Sequence, residues 1–179
     1  MSERPHEAAA TAPLRRSEWS AFDNLKRILW GLTKPVWVLV PAMRAPLLRC
    51  FGGRVGRNVR LARRVAIEIP WKVSLGDEVV IREGVILYSL GTIEIGERVQ
   101  LDRGVHVCAG SHDHTDPGFP LRTDPIRIGA DSIVGAESFI APGTTIGEMA
   151  RVRPRSVVVR SIPAGSVVAG NPARVEGDA

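Results

Sequence analysis

The stretch IGADSIVGAESFIAPGTTIGEMARVRPRSVV, residues 128–158, decides the fold. In it an aliphatic side chain returns at every sixth position: Ile128, Val134, Ile140, Ile146, Val152 and Val158. A helix repeats near 3.6 residues and a half-buried strand near 2, so a strict six fits neither. It is the signature of a hexapeptide solenoid, in which each hexapeptide makes one short flat face and a turn. Outward from this run the same step recurs in Val55, Leu61, Ile67, then Leu75, Ile81, Leu87, then Ile95, Leu101, Val107. The residue after the aliphatic is often small, as at Gly56, Gly96 and Gly135, which lets the chain round a corner without a Cβ clash.

Three hexapeptides close one triangular coil with its aliphatics pointing into a prism. Five coils follow, over 55–72, 75–92, 95–112, 128–145 and 146–163. Coils stack at about the strand spacing of 4.8 Å, and only the stack buries a core. The expected fold is therefore an all-β solenoid, a parallel β-helix of about five coils. Short breaks at Val73–Ser74 and Ile93–Glu94 read as bulges at a corner. A third break, between Val107 and Ile128, inserts a long loop over 108–127. A long loop on a rigid scaffold is where function concentrates.

The chain has 179 residues, enough for one domain. Two cysteines, Cys50 and Cys108, give no disulfide framework, and the absence of a signal-peptide pattern makes the cytoplasm the default. Residues 1–54 hold nine Lys and Arg against four Asp and Glu, whereas residues 55–179 hold fifteen of each. The N-terminal part thus carries the whole positive excess. Residues 1–16 are polar and Ala-rich and read as a disordered leader. Residues 17–54 read as an amphipathic helical segment, with Ser17 as a cap and Pro35, Pro41 and Pro46 dividing it into short pieces. Lys34, Arg44 and the prolines argue against a membrane span. Two roles stay open, and they are compatible. One is a cap over the exposed end of the solenoid. The other is a basic, Trp-bearing segment, 17–50, that rests peripherally on the inner face of an anionic membrane. No basic stripe with interleaved aromatics continues into the repeats, so nucleic acid is not an expected partner.

The long loop reads CAGSHDHTDPGFPLRTDPIRIG from Cys108 to Gly129. A histidine in a loop leaving a rigid coil suits general-base work, because its pKa lies near cellular pH. His112 and His114 are the candidates, with Asp113 placed to orient the ring or stabilise its charged form. A zinc site drawing on His106, His112, His114 and Asp113 would need three or four converging ligands. The repeats supply no further imidazole, and no metal is expected. Cys108 reads as a small corner residue.

Five segments together resemble the hexapeptide-repeat acyltransferases, and within them the O-acetyltransferases of the colanic-acid-biosynthesis type. They are LLRCFGGRVGRNV (47–59), IEIPWKVSLGD (67–77), GSHDHTDPGFPL (110–121), IAPGTTIGE (140–148) and SVVVRSIPAGSVVAGNPARV (156–175). The resemblance covers roughly residues 25–175 and implies a left-handed helix, an exception to the usual right-handed crossover. It implies an acetyltransferase domain over 55–175, with 176–179 as a tail. It also implies a homotrimer with acetyl-CoA as co-substrate in the cleft between adjacent prisms. The base would be the histidine of the GSHD motif, His112. Relatives commonly carry an aromatic where this chain has His114.

Coenzyme contacts carried over by position are Gly135, Ala136, Pro154, Val159, Arg160 and Arg174. Pro154 stands where relatives more often have a small residue, and Val159–Arg160 where they often have Thr-Lys. The acceptor would be a sugar or polysaccharide hydroxyl in exopolysaccharide biosynthesis, with Trp71, Glu83 and Tyr88 as candidate contacts. A backbone N–H near Gly135 or Ala136 would hold the oxyanion. Two other classes stay open from the sequence: a metalloenzyme like the γ-class carbonic anhydrases, and a non-catalytic β-helix scaffold.

Overall fold

The computed structural model describes residues 20–113 and 115–179, and in it the hexapeptides wind into a three-sided parallel β-helix. The leader 1–16, the cap expected at Ser17, and His114 lie outside the described residues. Face A holds Arg54–Val55, Val73–Leu75, Ile93–Ile95, Ile126–Ile128 and Thr145–Ile146. Face B holds Arg60–Leu61, Val80–Ile81, Gln100–Leu101, Ile133–Val134, Arg151–Val152 and Ser166–Gly170. Face C holds Ala66–Ile67, Ile86–Tyr88, His106–Cys108, Phe139–Ile140 and Val157–Val158.

The six-residue aliphatics form the three inner columns. Val55, Leu75, Ile95, Ile128 and Ile146 pair in register along face A. Leu61, Ile81, Leu101, Val134 and Val152 do so along face B. Ile67, Leu87, Val107, Ile140 and Val158 do so along face C. All but Val55 are buried. The prism continues past five coils: Ile162 bridges to Ile146, and Val168 pairs with Val152. Strand Ala173–Asp178 then folds back antiparallel on Ser166–Gly170 and runs into the expected tail 176–179.

The two short breaks lengthen the corner from face C to face A, but the added residues lie ahead of Val73 and Ile93 rather than at them. Val73, Ile93 and Ile126 form a buried column two places before the register aliphatics of face A. Val79 and Val99 hold the same place on face B, and Val85 and Val105 on face C. The corner takes up the added residues, as a 3-10 turn over Pro70–Lys72 in one case.

Helices α1 (Ala21–Leu32), α2 (Lys34–Leu39) and α3 (Arg44–Cys50) precede the first coil. Ser20 caps α1 by accepting from the Asp23 N–H. In each face, backbone N–H groups of one coil donate to carbonyls of the next, as in Gly56 to Leu75, Ala62 to Ile81 and Glu68 to Leu87. The first coil has no earlier coil to donate to its own carbonyls. The helical segment supplies those donors. The Trp30 indole donates to the Ile67 carbonyl at 2.9 Å, buried Arg44 donates to the Leu61 carbonyl at 2.8 Å, and Arg49 donates to the Val55 and Gly56 carbonyls. A buried carbonyl without a partner costs about 1–3 kcal/mol, so each contact matters to the end of the stack.

Candidate active site

The loop over 108–127 is a β-hairpin at the corner where face C passes to face A. Ser111–His112 pairs antiparallel with Leu121–Arg122. Its root is fixed by close packing. A Cβ on Gly91 would sit 2.6 Å from the Ala109 carbonyl oxygen and 2.9 Å from that of Asp124. The buried Cys108 thiol donates to the Gly110 carbonyl at 3.0 Å, consistent with a structural cysteine.

On this hairpin His112 is exposed, and its ring stacks on Phe119 with centroids 4.6 Å apart and planes 8° apart. Its Nδ1 lies 2.9 Å from the Phe119 carbonyl oxygen. A carbonyl oxygen only accepts, so this contact assigns the proton to Nδ1 and leaves the lone pair on Nε2. The ring-orienting contact expected of Asp113 is not formed. The Asp113 carboxylate instead accepts from the Thr115 N–H at 2.9 Å and hydroxyl at 2.6 Å, and pairs with Arg122 at 2.6 Å. The Thr115 hydrogen bonds first, then the Arg122 guanidinium, hold its carboxyl below the ordinary carboxylate range. Asp113 thus braces the hairpin that carries His112. Of the two residues that do this positioning, Phe119 lies in the GSHDHTDPGFPL segment but nothing there marks its role, and Arg122 carries no signal beyond lying in the loop.

The other expected residues divide between two edges of face C. Val159 and Arg160 follow Val157–Val158 at the edge from C to A, on the hairpin's side. Gly135, Ala136 and Pro154 lie at the edge from B to C. Arg174 is exposed on the terminal strand beside face B. One chain therefore does not bring His112 together with Ala136 and Pro154. Gly135 is held in a close backbone approach. Its N–H donates to the Val152 carbonyl at 2.8 Å, and a Cβ there would lie 2.6 Å from the Pro154 nitrogen. Its N–H is thus not free for an oxyanion. The Ala136 N–H has no hydrogen-bond partner among the described residues.

The acceptor candidates Trp71, Glu83 and Tyr88 line separate cavities rather than one pocket. The Trp71 ring lies 4.1 Å from the Lys26 ammonium, a cation–π contact. The Glu83 carboxylate accepts from the Arg63 and Arg64 backbone N–H groups at 3.1 and 2.9 Å, closing the turn of the preceding coil. Tyr88 stands edge-on to His106, which in turn meets Phe139 edge-on. Burial pushes the His106 pKa down, and its buried Nε2 has no partner among the described residues. No group of three or more metal-ligating side chains occurs among the described residues.

The family model described as the hexapeptide repeat of succinyl-transferase matches residues 125–153. A protein of Escherichia coli strain K12 named as a colanic acid biosynthesis acetyltransferase, WcaF, is 39% identical over 153 residues, covering 83% of this chain and 84% of its own. The chain belongs to the hexapeptide-repeat acetyltransferases. Another hexapeptide-repeat acetyltransferase, VCA0836 from Vibrio cholerae, was solved complexed with acetyl coenzyme A. It superposes with a TM-score of 0.84 at 26% identity, covering 89% of this chain and 90% of that one. A maltose O-acetyltransferase from Clostridium difficile 630 shares the fold, with a TM-score of 0.83 at 23% identity over 89% of each chain. In this hexapeptide-repeat acetyltransferase the hairpin histidine and the edge bearing Gly135, Ala136 and Pro154 lie on opposite borders of face C.

Proposed function

We propose that the protein moves acetyl from acetyl-CoA to a sugar hydroxyl in exopolysaccharide biosynthesis, with His112 as general base. The observation that carries this reading is the His112–Phe119 contact, which leaves an exposed Nε2 with its lone pair on a braced hairpin. Nε2 takes the proton of the acceptor hydroxyl as its oxygen attacks the thioester carbonyl carbon. The Ala136 N–H holds the oxyanion of the tetrahedral intermediate. The intermediate collapses, the C–S bond breaks, and the imidazolium returns its proton to the coenzyme thiolate. The products are an acetyl ester and free coenzyme A, and no covalent enzyme intermediate is needed.

The two-edge arrangement supports a homotrimer in which the His112 edge of one prism faces the Ala136–Pro154 edge of its neighbour. Val159 and Arg160 then lie across the same cleft, and Arg160 and Arg174 offer planar cations to the coenzyme phosphates. Trp71 and Tyr88 remain the proposed acceptor contacts, while Glu83 shapes the turn that presents Arg63 and Arg64.

The acceptor's setting follows from α1. Its Phe22, Leu25, Ile28, Leu29 and Leu32 are 46–70% exposed and share one face, whereas Trp30 and Arg27 turn toward the β-helix. The apolar side thus points away from the protein, with Lys26 at its margin beside Phe22. Among the described residues no helix is long and apolar enough to cross a membrane. This face fits peripheral docking on the cytoplasmic side of an anionic membrane. The test of the function is a screen of sugar and glycan acceptors with radiolabelled acetyl-CoA. Label transferred to a glycan as a base-labile ester is expected. Turnover of acetyl-CoA with no glycan labelled would refute the sugar acceptor.

A further inference from the structure

Resting on the acetyl-transfer reading, we propose that the acceptor sugar carries a diphosphate and that Arg63, Arg64 and Arg103 bind it. These arginines line an open cleft of about 550 Å³ whose remaining wall is Glu83. Several arginines elsewhere on the coils are neutralised by carboxylates, as in Arg57–Asp77, Arg98–Asp131 and Arg155–Glu137. The guanidiniums of Arg63, Arg64 and Arg103 have no ion pair among the described residues, and all three reach the same cleft. The Glu83 oxygens accept from the Arg63 and Arg64 backbone N–H groups rather than from their side chains. Three exposed cations around one engaged carboxylate leave the cleft positive. Planar guanidinium donors match phosphate oxygens in pairs.

Position gives this charge its meaning. Arg63–Arg64, Glu83, Arg103 and Ala136 occupy successive coils of one edge, and the Glu137 N–H donates to the Arg103 carbonyl at 2.8 Å. Arg103 is thus one coil from the proposed oxyanion donor, and Arg63–Arg64 two coils further, at about 4.8 Å per coil. A hexose placed beside Ala136 directs its anomeric phosphates along this edge. The spread of cations over two coil steps exceeds one phosphate and suits two. Arg63 and Arg64 also line a groove of about 300 Å³ with Trp30, Trp37 and Tyr88, beneath the helical segment. The hexosyl diphosphate can be carried by a nucleoside or by a polyprenyl chain, and this apolar groove would take the chain.

The test measures binding calorimetrically, without acetyl-CoA, to the full chain and its Arg64→Gln and Arg103→Gln variants. The probes are inorganic pyrophosphate, UDP-glucose, a short-chain prenyl-diphosphate glucose, and methyl glucoside as the neutral control. Both side chains are exposed, and unchanged melting temperatures will verify the fold. Pyrophosphate and both diphosphate sugars are expected to bind the wild type and to lose roughly tenfold or more in affinity in each variant. Methyl glucoside should show no difference among the three proteins. Tighter binding of the prenyl probe would support a lipid carrier, and tighter binding of UDP-glucose a nucleotide carrier. Pyrophosphate that does not bind, or diphosphate affinities equal in all three proteins, would overturn the site. If instead acetyl transfer fails on every acceptor while these affinities behave as expected, it is the acetyl-transfer reading that falls.

Discussion

The imidazole of His112 lies flat against the ring of Phe119, 4.6 Å away, while its Nδ1 faces the carbonyl oxygen of the same residue at 2.9 Å. One residue seven positions on thus sets both the plane and the tautomer of the proposed base. Phe119 does so from a left-handed backbone, φ +46°, a conformation that costs a bulky side chain about 1 kcal/mol or more. Replacing Phe119 with Ala keeps the carbonyl but removes the stack. Turnover should fall roughly tenfold with little change in the acetyl-CoA KM, since an interaction that positions the base acts on the chemical step. Steady-state kinetics with acetyl-CoA varied check this. A raised KM with unchanged kcat would show that the stack serves binding.

A site shared between prisms predicts complementation. His112→Ala should disable one edge and Ala136→Trp the other. Co-refolded in equal amounts, the two inactive chains should regain roughly a quarter of wild-type activity, because that share of neighbouring edges is intact in a cyclic trimer. A site contained within one chain gives no recovery.

His106 gives the fold an acid-sensitive column. Burial between Tyr88 and Phe139 favours its neutral form and lowers its folded pKa. The unfolded chain, with an ordinary histidine pKa near 6.5, therefore takes up the proton first as pH falls. The stability linked to this residue is fully present above about pH 6.5 and is lost below it, down to the folded pKa. Denaturant midpoints measured from pH 7.5 to 5 should fall less steeply in His106→Phe. Parallel curves would exclude the residue as a source of acid sensitivity.

The apolar face of α1 predicts salt-sensitive binding to anionic vesicles. Leu25→Glu with Leu32→Glu should abolish co-sedimentation and leave the melting temperature nearly unchanged, because both side chains are over half exposed. Interfacial segments of this type bind reversibly through apolar burial and attraction to anionic lipid. Wild-type protein that stays in solution at low salt would leave the segment with only its contacts to the first coil.

The inner columns were legible because burial imposes a period: Ile128, Val134 and Ile140 each meet the next coil in register. The exact place of the two added residues was not legible, because the corner that holds them, Glu68–Lys72 in one coil, carries no periodic signal, while Val73 and Ile93 keep the regular inward place two before Leu75 and Ile95. His112 was legible as a loop histidine. Its partners were not, since the hairpin register that brings Phe119 back to it depends on how Ser111–His112 pairs with Leu121–Arg122. Nor does a helical pattern say which way its apolar face turns. In α1 that is settled by Trp30 and Arg27, whose polar atoms find Ile67 and Glu68.

The most direct measurement is acetyl transfer from labelled acetyl-CoA to a glycan acceptor by wild type, His112→Ala and His114→Ala, with coenzyme affinity measured alongside. The account predicts that His112→Ala loses roughly a hundredfold or more in turnover and binds acetyl-CoA as the wild type does, and that His114→Ala loses far less. Turnover by His112→Ala equal to wild type, or abolished only by His114→Ala, would contradict it.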